Sequence, residues 1–291
     1  MTPHRVTTAL LRKWPLPSSD DTDGKEERGR VLIVGGSTTV PGAALLAATA
    51  SLRVGAGKLH VATSRPAALA LAIAIPEAKV SGLPADTRGE IATLGREVSA
   101  AAQSADAVLV GPGMEATPGA RRVATAILRR AKAVVLDAGA LGGATAASRA
   151  GTMVVTPHLG EMAGLLGVDD SEVAADPVAV ALAFAKRFDA TVVLKGPDTV
   201  IANGAGEAWL HTGGSVGLGT SGSGDVLAGL ICGLMAQGVP PDQAAVWGVA
   251  LHGRAGELLS RDVGTTGFLA REIAARIPAI KDALSGAGRD T

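Results

Sequence analysis

The run VLIVGGSTTVPGAALLAA, residues 31–48, sets the pattern of the chain. Its first four residues are apolar and mostly β-branched, too short a stretch for a helix. Gly35 and Gly36 then break the run, and Pro41 and Gly42 open an Ala/Leu-rich segment of helical period. The same alternation returns after KLHVAT (58–63), AVLVG (107–111), AVVLD (133–137), TMVVT (152–156) and TVVLKG (191–196). Short apolar strands joined by helices are repeated βαβ units, which predicts an α/β fold with a parallel sheet. After Lys195 the rhythm changes. DTVIANG (198–204) and EAWLHT (207–212) are separated by a short glycine-containing turn and predict a hairpin at one edge of the sheet. Three helices are predicted in the last third, over roughly 225–236, 241–259 and 266–284.

At 291 residues the chain suits one large sheet with its covering helices, so a single folded unit is expected over residues 30–285. Residues 1–29 read as a lead-in: a short amphipathic stretch ending at Trp14, then a polar run from Ser18 to Arg30 expected to be an exposed loop. Residues 286–291 read as a frayed tail. Apolar residues make up 47% of the chain and aromatic ones only 2%, so the core must be built from finely packed Ala, Val, Leu and Gly. Lys plus Arg equals Asp plus Glu at 27 each, which removes any net field that would draw the chain to nucleic acid or an anionic membrane. A phosphate site would have to be local. Cys232 is the single cysteine, which rules out a disulfide framework within the chain and predicts a buried, inert thiol. There is neither a signal-like apolar core near the N-terminus nor an apolar span of membrane length, so the expected location is cytoplasmic.

In open parallel sheets, ligands sit beyond the carboxyl ends of the strands. Most of the polar and glycine-rich clusters fall there. GGSTTVPG (35–42) and GPGM (111–114) each follow a strand, and each reads equally as a ligand contact or as a tight turn. Asp137 ends a strand and could orient a substrate hydroxyl, a water or a metal, or simply cap a helix. Thr156, Pro157, His158 and Glu161 cluster at another strand end; Thr156 and Glu161 alone would fit a helix start, whereas His158 in the exit loop points to a ligand. Lys195, also at a strand end, either neutralises a phosphate or is a solvated hairpin lysine. The sharpest signal is GGSVGLGTSGSGDVLAGLICGLMAQG (213–238), where Gly219, Ser221, Gly222 and Gly224 leave backbone N–H groups free to face an anion and Asp225 opens a long apolar helix. The positive end of that helix is expected to keep Asp225 ionised at neutral pH, the state a general base requires.

Seven motifs in order, GGS..VPGAA, LRVGAG, GPGM, LDAGAL, TPHLGEMAGLLG, LKGPDTVIA and GTSGSGDVLAG, resemble the NAD(P)H-hydrate dehydratase family of the ribokinase-like superfamily, from about Val31 to Leu259. The resemblance implies a three-layer sandwich, a central and mostly parallel sheet with helices on both faces. It implies ADP-dependent dehydration of the S-form of hydrated NADH or NADPH to the reduced dinucleotide, with AMP and phosphate released. It would place Lys195, Gly196, Pro197, Asp198 and Thr199 along the ADP and Gly222 and Gly224 near its phosphates, while Ala43, Gly113, His158 and Asp225 would meet the hydrated dinucleotide. Asp225 would be the catalytic base. Magnesium is the implied metal, held through phosphate oxygens and waters, with Glu161 able to reach it through a water. Ser221 stands where the family more often has glycine and Leu159 where it often has proline; neither change removes a proposed chemical group. Longer relatives carry an N-terminal epimerase domain that thirty residues cannot hold, so a separate epimerase is an expected partner, and a homo-oligomer is the expected assembly. The nearest competing reading is a ribokinase-like kinase of a vitamin precursor such as hydroxymethylpyrimidine, a thiazole alcohol or pyridoxal. It shares Asp225 but resembles TPN-x-x-E where this chain has TPHLGE. A dinucleotide-sensing module without catalysis would also explain the glycine loops, and detectable turnover excludes it.

Overall fold

The structure, a computed structural model, describes residues 2–17, 24–145 and 151–286; the tail beyond Gly286 and part of the polar run after Pro17 lie outside them. In chain order the elements are β1 (His4–Arg5), α1 (Thr8–Lys13), β2 (Arg30–Val34), α2 (Pro41–Arg53), β3 (Lys58–Ser64), α3 (Arg65–Ala74) and β4 (Lys79–Leu83). Then come α4 (Gly95–Ser104), β5 (Ala107–Val110), α5 (Pro118–Leu128), β6 (Ala133–Leu136), β7 (Thr152–Val155), α6 (Leu159–Leu166), α7 (Asp170–Ala175) and α8 (Pro177–Phe188). The chain continues through β8 (Thr191–Leu194), β9 (Thr199–Ala202), β10 (Ala208–His211), α9 (Ser223–Ala236), α10 (Pro241–Asp262) and α11 (Ala270–Ser285). Each strand expected from an apolar run is present.

The strands form one sheet in the order β1-β10-β9-β8-β7-β6-β5-β2-β3-β4. Every pairing from β4 across to β8 is parallel; β8–β9 and β9–β10 are antiparallel, which is the expected hairpin. Alternation within the strands divides the core in two. Val31 and Ile33 point with Leu109, Val135 and Val193 toward α2, α9, α10 and α11. Leu32 and Val34 point with Val108, Val134 and Val192 toward α4, α5, α6 and α8. Both faces are thereby covered, which is why the strands are apolar throughout, and the sheet with its two helix layers is the expected sandwich.

Two features depart from the sequence reading. The lead-in is part of the sheet: β1 pairs in parallel with β10, and the Trp14 ring meets Trp209 edge-on at a centroid distance of 5.5 Å. The Trp247 indole N–H also donates to the Trp14 carbonyl at 2.7 Å. The hairpin therefore does not leave its outer strand bare, because the amphipathic stretch at the N-terminus covers it. The last helix also begins at Ala270, not near 266, since Gly264 and Gly267 have φ of +149° and +97° and do not continue a helix backward. The Glu272 carboxylate accepts the Leu269 N–H at 2.6 Å and caps the new start.

Candidate active site

Helix α9 is the element around which the site is built. Nearly all of its residues are buried, so it is held on every side and its first turn is fixed in position. Against α2 the contact is backbone to backbone: a Cβ on Gly229 would lie 2.8 Å from Ala47 Cα, and one on Gly233 would lie 2.8 Å from the Ser51 carbonyl oxygen. The Ser51 hydroxyl donates to the Gly229 carbonyl at 2.8 Å. At its start Gly222 is the N-cap with φ +88°, and a side chain there would collide with Leu46 of α2. At Gly222 packing against α2 is thus a second reason for glycine beside any contact its backbone makes with a ligand. Gly217 lies under the Phe268 ring, 2.7 Å by its added Cβ from the Thr265 carbonyl oxygen, and serves packing. Gly224 faces Lys195 Nζ at 3.4 Å by the same measure, so its bare backbone leaves room for that ammonium. The N–H groups of Gly224 and Asp225, in the first turn, have no intrahelical acceptor.

Lys195, one residue past β8, reaches back across the strand ends. Its ammonium donates to Asp137 Oδ1 at 3.3 Å and lies 3.7 Å from Glu161 Oε2. Asp137, one residue past β6, is 4% exposed and accepts the Thr156 hydroxyl at 2.7 Å. Burial works against the Lys195 charge, but Asp137 and Glu161 outweigh it and hold the ammonium above its ordinary pKa. Asp225 completes this group. Burial foremost, and then the negative charge of Asp137, push its pKa up to about 7 against the opposing pull of Lys195. The expectation of a fully ionised Asp225 is therefore corrected. A helix dipole is worth ~0.3–1 kcal/mol at its first turn, which is less than desolvation combined with a second carboxylate.

His158 is the N-cap of α6. Its Nδ1 accepts the Glu161 N–H at 3.2 Å while Glu161 Oε2 accepts the His158 N–H at 2.7 Å, a reciprocal cap. The imidazole remains 59% exposed, with Nε2 directed 3.6 Å from the same carboxylate. Capping and ligand contact are thus compatible in one residue. Ala43 and Gly113 meet each other, because a Cβ on Gly113 (φ +66°) would stand 2.8 Å from that of Ala43. The loops bearing them are stitched together by Gly36 N–H to the Pro112 carbonyl at 2.7 Å and Ser37 N–H to the Gly113 carbonyl at 3.1 Å. Gly196, Pro197 and Asp198 form the turn between β8 and β9, and Thr199 opens β9 opposite His211. No hydrogen bond or ion pair among the described residues joins Pro197 or Asp198 to the carboxylate group around Lys195. Cys232 is fully buried in α9, where burial pushes its thiol pKa up, as its apolar setting led one to expect.

Reading the residues alone passes over Glu90 and His252. Glu90 is buried and accepts the Glu115 N–H at 3.1 Å, tying the loop before α4 to the loop before α5; burial raises its pKa. His252, in α10, contacts the Ser223 hydroxyl at 2.9 Å and is held neutral by burial, its pKa brought down to about 4. The only local signal for His252 is a single imidazole among the small residues of VALHGRAG. No group of three or more His, Cys, Asp or Glu able to hold a metal ion occurs among the described residues, nor is any helix among them long and apolar enough to cross a membrane.

The model of the family described as NAD(P)H-hydrate dehydratase matches residues 31–279. The chain belongs to the NAD(P)H-hydrate dehydratase family. The match extends twenty residues beyond the resemblance read from the motifs and takes in most of α11. A protein of Xanthomonas campestris pv. campestris named ADP-dependent (S)-NAD(P)H-hydrate dehydratase is 50% identical over 280 residues, 96% of each chain. The bifunctional NAD(P)H-hydrate repair enzyme of Moorella thermoacetica is 36% identical over 94% of this chain, which spans 53% of that longer protein. Among solved structures, the ADP/ATP-dependent NAD(P)H-hydrate dehydratase of Bacillus subtilis, co-crystallised with ATP and Mg2+, superposes with a TM-score of 0.86 at 30% identity, covering 98% of this chain and 99% of that one. These likenesses favour the dehydratase family over the vitamin-precursor kinases.

Proposed function

We infer that the chain dehydrates the S-form of hydrated NADH or NADPH at the expense of ADP. The observation that carries this reading is Asp225, a half-buried carboxylate titrating near 7 at the start of a glycine-lined helix and facing Lys195 across the sheet edge. A base poised near neutrality can take a proton from a hydroxyl and still be ionised for part of the enzyme population. In this reading Asp225 accepts the proton of the ring C6 hydroxyl as that oxygen attacks the β-phosphorus of ADP. The P–O bond to AMP breaks, and AMP leaves. The phosphorylated hydroxyl then departs as phosphate with its C–O bonding pair, electrons from the ring nitrogen take its place, and loss of the C5 proton restores the double bond of the reduced nicotinamide. The N–H groups at the start of α9 stabilise the charge on the transferred phosphoryl group.

Lys195 to Thr199 line the nucleotide in this reading, with Gly222 and Gly224 at its phosphates, while Ala43, Gly113 and His158 bind the hydrated dinucleotide. Lys195 is already paired with Asp137 and Glu161, so it approaches the nucleotide as a fixed charge rather than a loose one. Magnesium fits as an ion brought in on phosphate oxygens: Asp137 and Glu161 are committed to Lys195 and the α6 cap, and Glu161 would meet such an ion only through a water. When bound, the ion would neutralise phosphate charge. The reading carries with it a cytoplasmic location and a separate epimerase that supplies the S-form. The test is direct. Protein, ADP, magnesium and hydrated NADH are mixed and the reduced-nicotinamide absorbance is followed; ADP-dependent recovery is expected, and its absence would overturn the assignment.

A further inference from the structure

A groove between α4 and α5 holds a concentration of positive charge that the reaction does not use. Its larger cavity, about 650 Å³, is lined by Arg96, Arg122 and Arg130, and an adjoining cavity of about 570 Å³ along α5 adds Arg121 and Arg129. No acidic residue lines either cavity. Among the described residues none of the five guanidinium groups forms an ion pair, and Arg130 donates only to the Ala126 carbonyl of its own helix, at 2.8 Å. In a chain whose charges balance at 27 against 27, five exposed guanidinium groups without an acidic partner concentrate positive potential in one groove, which favours an anion there.

The groove starts at the substrate side of the site. Thr38, next to the loop that meets Gly113, donates its N–H to the Gly89 carbonyl at 2.9 Å. The following residue, Glu90, is bonded to Glu115, and the chain then runs through Ile91 into residues 92–95, which form the groove wall. Arg96 stands in the first turn of α4 and Arg122 in the second turn of α5, both toward the strand ends where ligands collect. Arg129 lies ~10 Å farther along α5 at 1.5 Å per residue.

We propose that this groove receives the adenosine end of the hydrated dinucleotide, and that Arg96 and Arg122, from its two walls, bind a 2′-phosphate there and select hydrated NADPH over hydrated NADH. This rests on the dehydratase reading, in which ADP lies along Lys195–Thr199 and the nicotinamide lies at Asp225. The remainder of the dinucleotide then leaves on the opposite side, past Ala43 and Gly113. A phosphate monoester matches the guanidinium fork, which donates two parallel hydrogen bonds.

The experiment measures kcat and KM for both hydrates, at fixed ADP and magnesium, in the parent chain, R96A/R122A, R96K/R122K and R129A. In R96A/R122A the KM for hydrated NADPH should rise about tenfold or more, as expected for loss of charged hydrogen bonds to phosphate, with kcat little changed. The KM for hydrated NADH should change less than about twofold. The lysine pair should recover part of the loss and R129A should match the parent; if the alanine pair fails to fold, the lysine pair carries the comparison. Equal changes for the two hydrates, or none, overturn the proposal. If the parent chain turns over neither hydrate, the dehydratase reading fails instead, and binding of 2′-phospho-ADP-ribose against ADP-ribose by calorimetry still decides the groove: preference for the phosphorylated probe, lost in R96A/R122A, upholds it, and equal affinity refutes it.

Discussion

In the proposed reading Asp225 is both buried and a base, and these demands pull against each other. Its raised pKa means that the folded protein binds this proton more tightly than the unfolded chain does. Asp225 therefore favours folding below the ordinary carboxylate range, and that contribution is lost as pH rises toward about 7. Above 7 the buried charge is a net cost. Asp225→Asn should thus lose activity by about 10²-fold or more and yet melt higher at pH 8, by about 2–4 °C for each kcal/mol relieved. The gain should vanish near pH 4. Retention of more than about a tenth of the parent rate would return Asp225 to a capping role. The same balance sets the pH profile: kcat/KM reports the free protein and should fall on an acid limb centred near pH 7. Asp137→Asn removes a negative neighbour that raises the Asp225 pKa, so the limb should move to lower pH; a limb that stays in place would separate Asp137 from the titration.

At the scale of elements, the position of α9 and the edge of the sheet are set by contacts a few atoms wide. Gly222→Ala brings together two obstacles, a φ of +88° and the Leu46 side chain, so the first turn of α9 must shift. The cost should be ~1–3 kcal/mol, typical of an overpacked site, with kcat reduced more than the KM for either ligand because Asp225 moves with the turn. Unchanged kcat in a folded variant would show that the turn tolerates displacement. The N-terminal segment offers a contrast far from the carboxylates. Trp14→Ala removes the edge-on contact with Trp209 but leaves the Trp14 carbonyl for Trp247. It should lower stability by ~1–3 kcal/mol, read from the denaturant midpoint, with KM for ADP unchanged; a raised KM would tie this segment to the nucleotide side.

For the whole molecule the open question is which nucleotide the two clamps measure. In the proposed reading Lys195 to Thr199 would hold one end and the start of α9 would surround the transferred group, so the terminal phosphorus would have to lie in line with a hydroxyl held by Asp225. With ADP seated, ATP must either withdraw by one phosphate or press its terminal phosphate into the substrate pocket. ADP is therefore the expected donor. Steady-state specificity constants for the two nucleotides at matched magnesium decide this, and a higher value for ATP would reverse the preference without touching the dehydration itself. Sheet order serves the same end. Asp137, Thr156 and Lys195 follow β6, β7 and β8, which are neighbours in the sheet, so three residues widely spaced in the chain share one edge.

How much of this was legible beforehand depends on the range of the forces involved. Strand and helix runs were readable because period and turn residues act over a few neighbours, as in residues 31–48 and in the hairpin after Lys195. Asp225 and His158 were readable as site candidates because glycine-rich and proline-bearing loops at strand ends are local signals. The pairing of Lys195 with Asp137, 58 residues away, was not, since only the neighbouring of β6, β7 and β8 brings them together. For the same reason the ionisation of Asp225 is not set by its own segment: the helix dipole belongs to that segment, while the burial and the opposing carboxylates that outweigh it come from other strands and helices. The amphipathic stretch before Trp14 reads only as a lead-in because its sequence lacks a long apolar run. Its place comes from two residues of pairing, the burial of Leu11 in the core and one indole packed against another, contacts that exist only once β10, α10 and the core beneath them are in position.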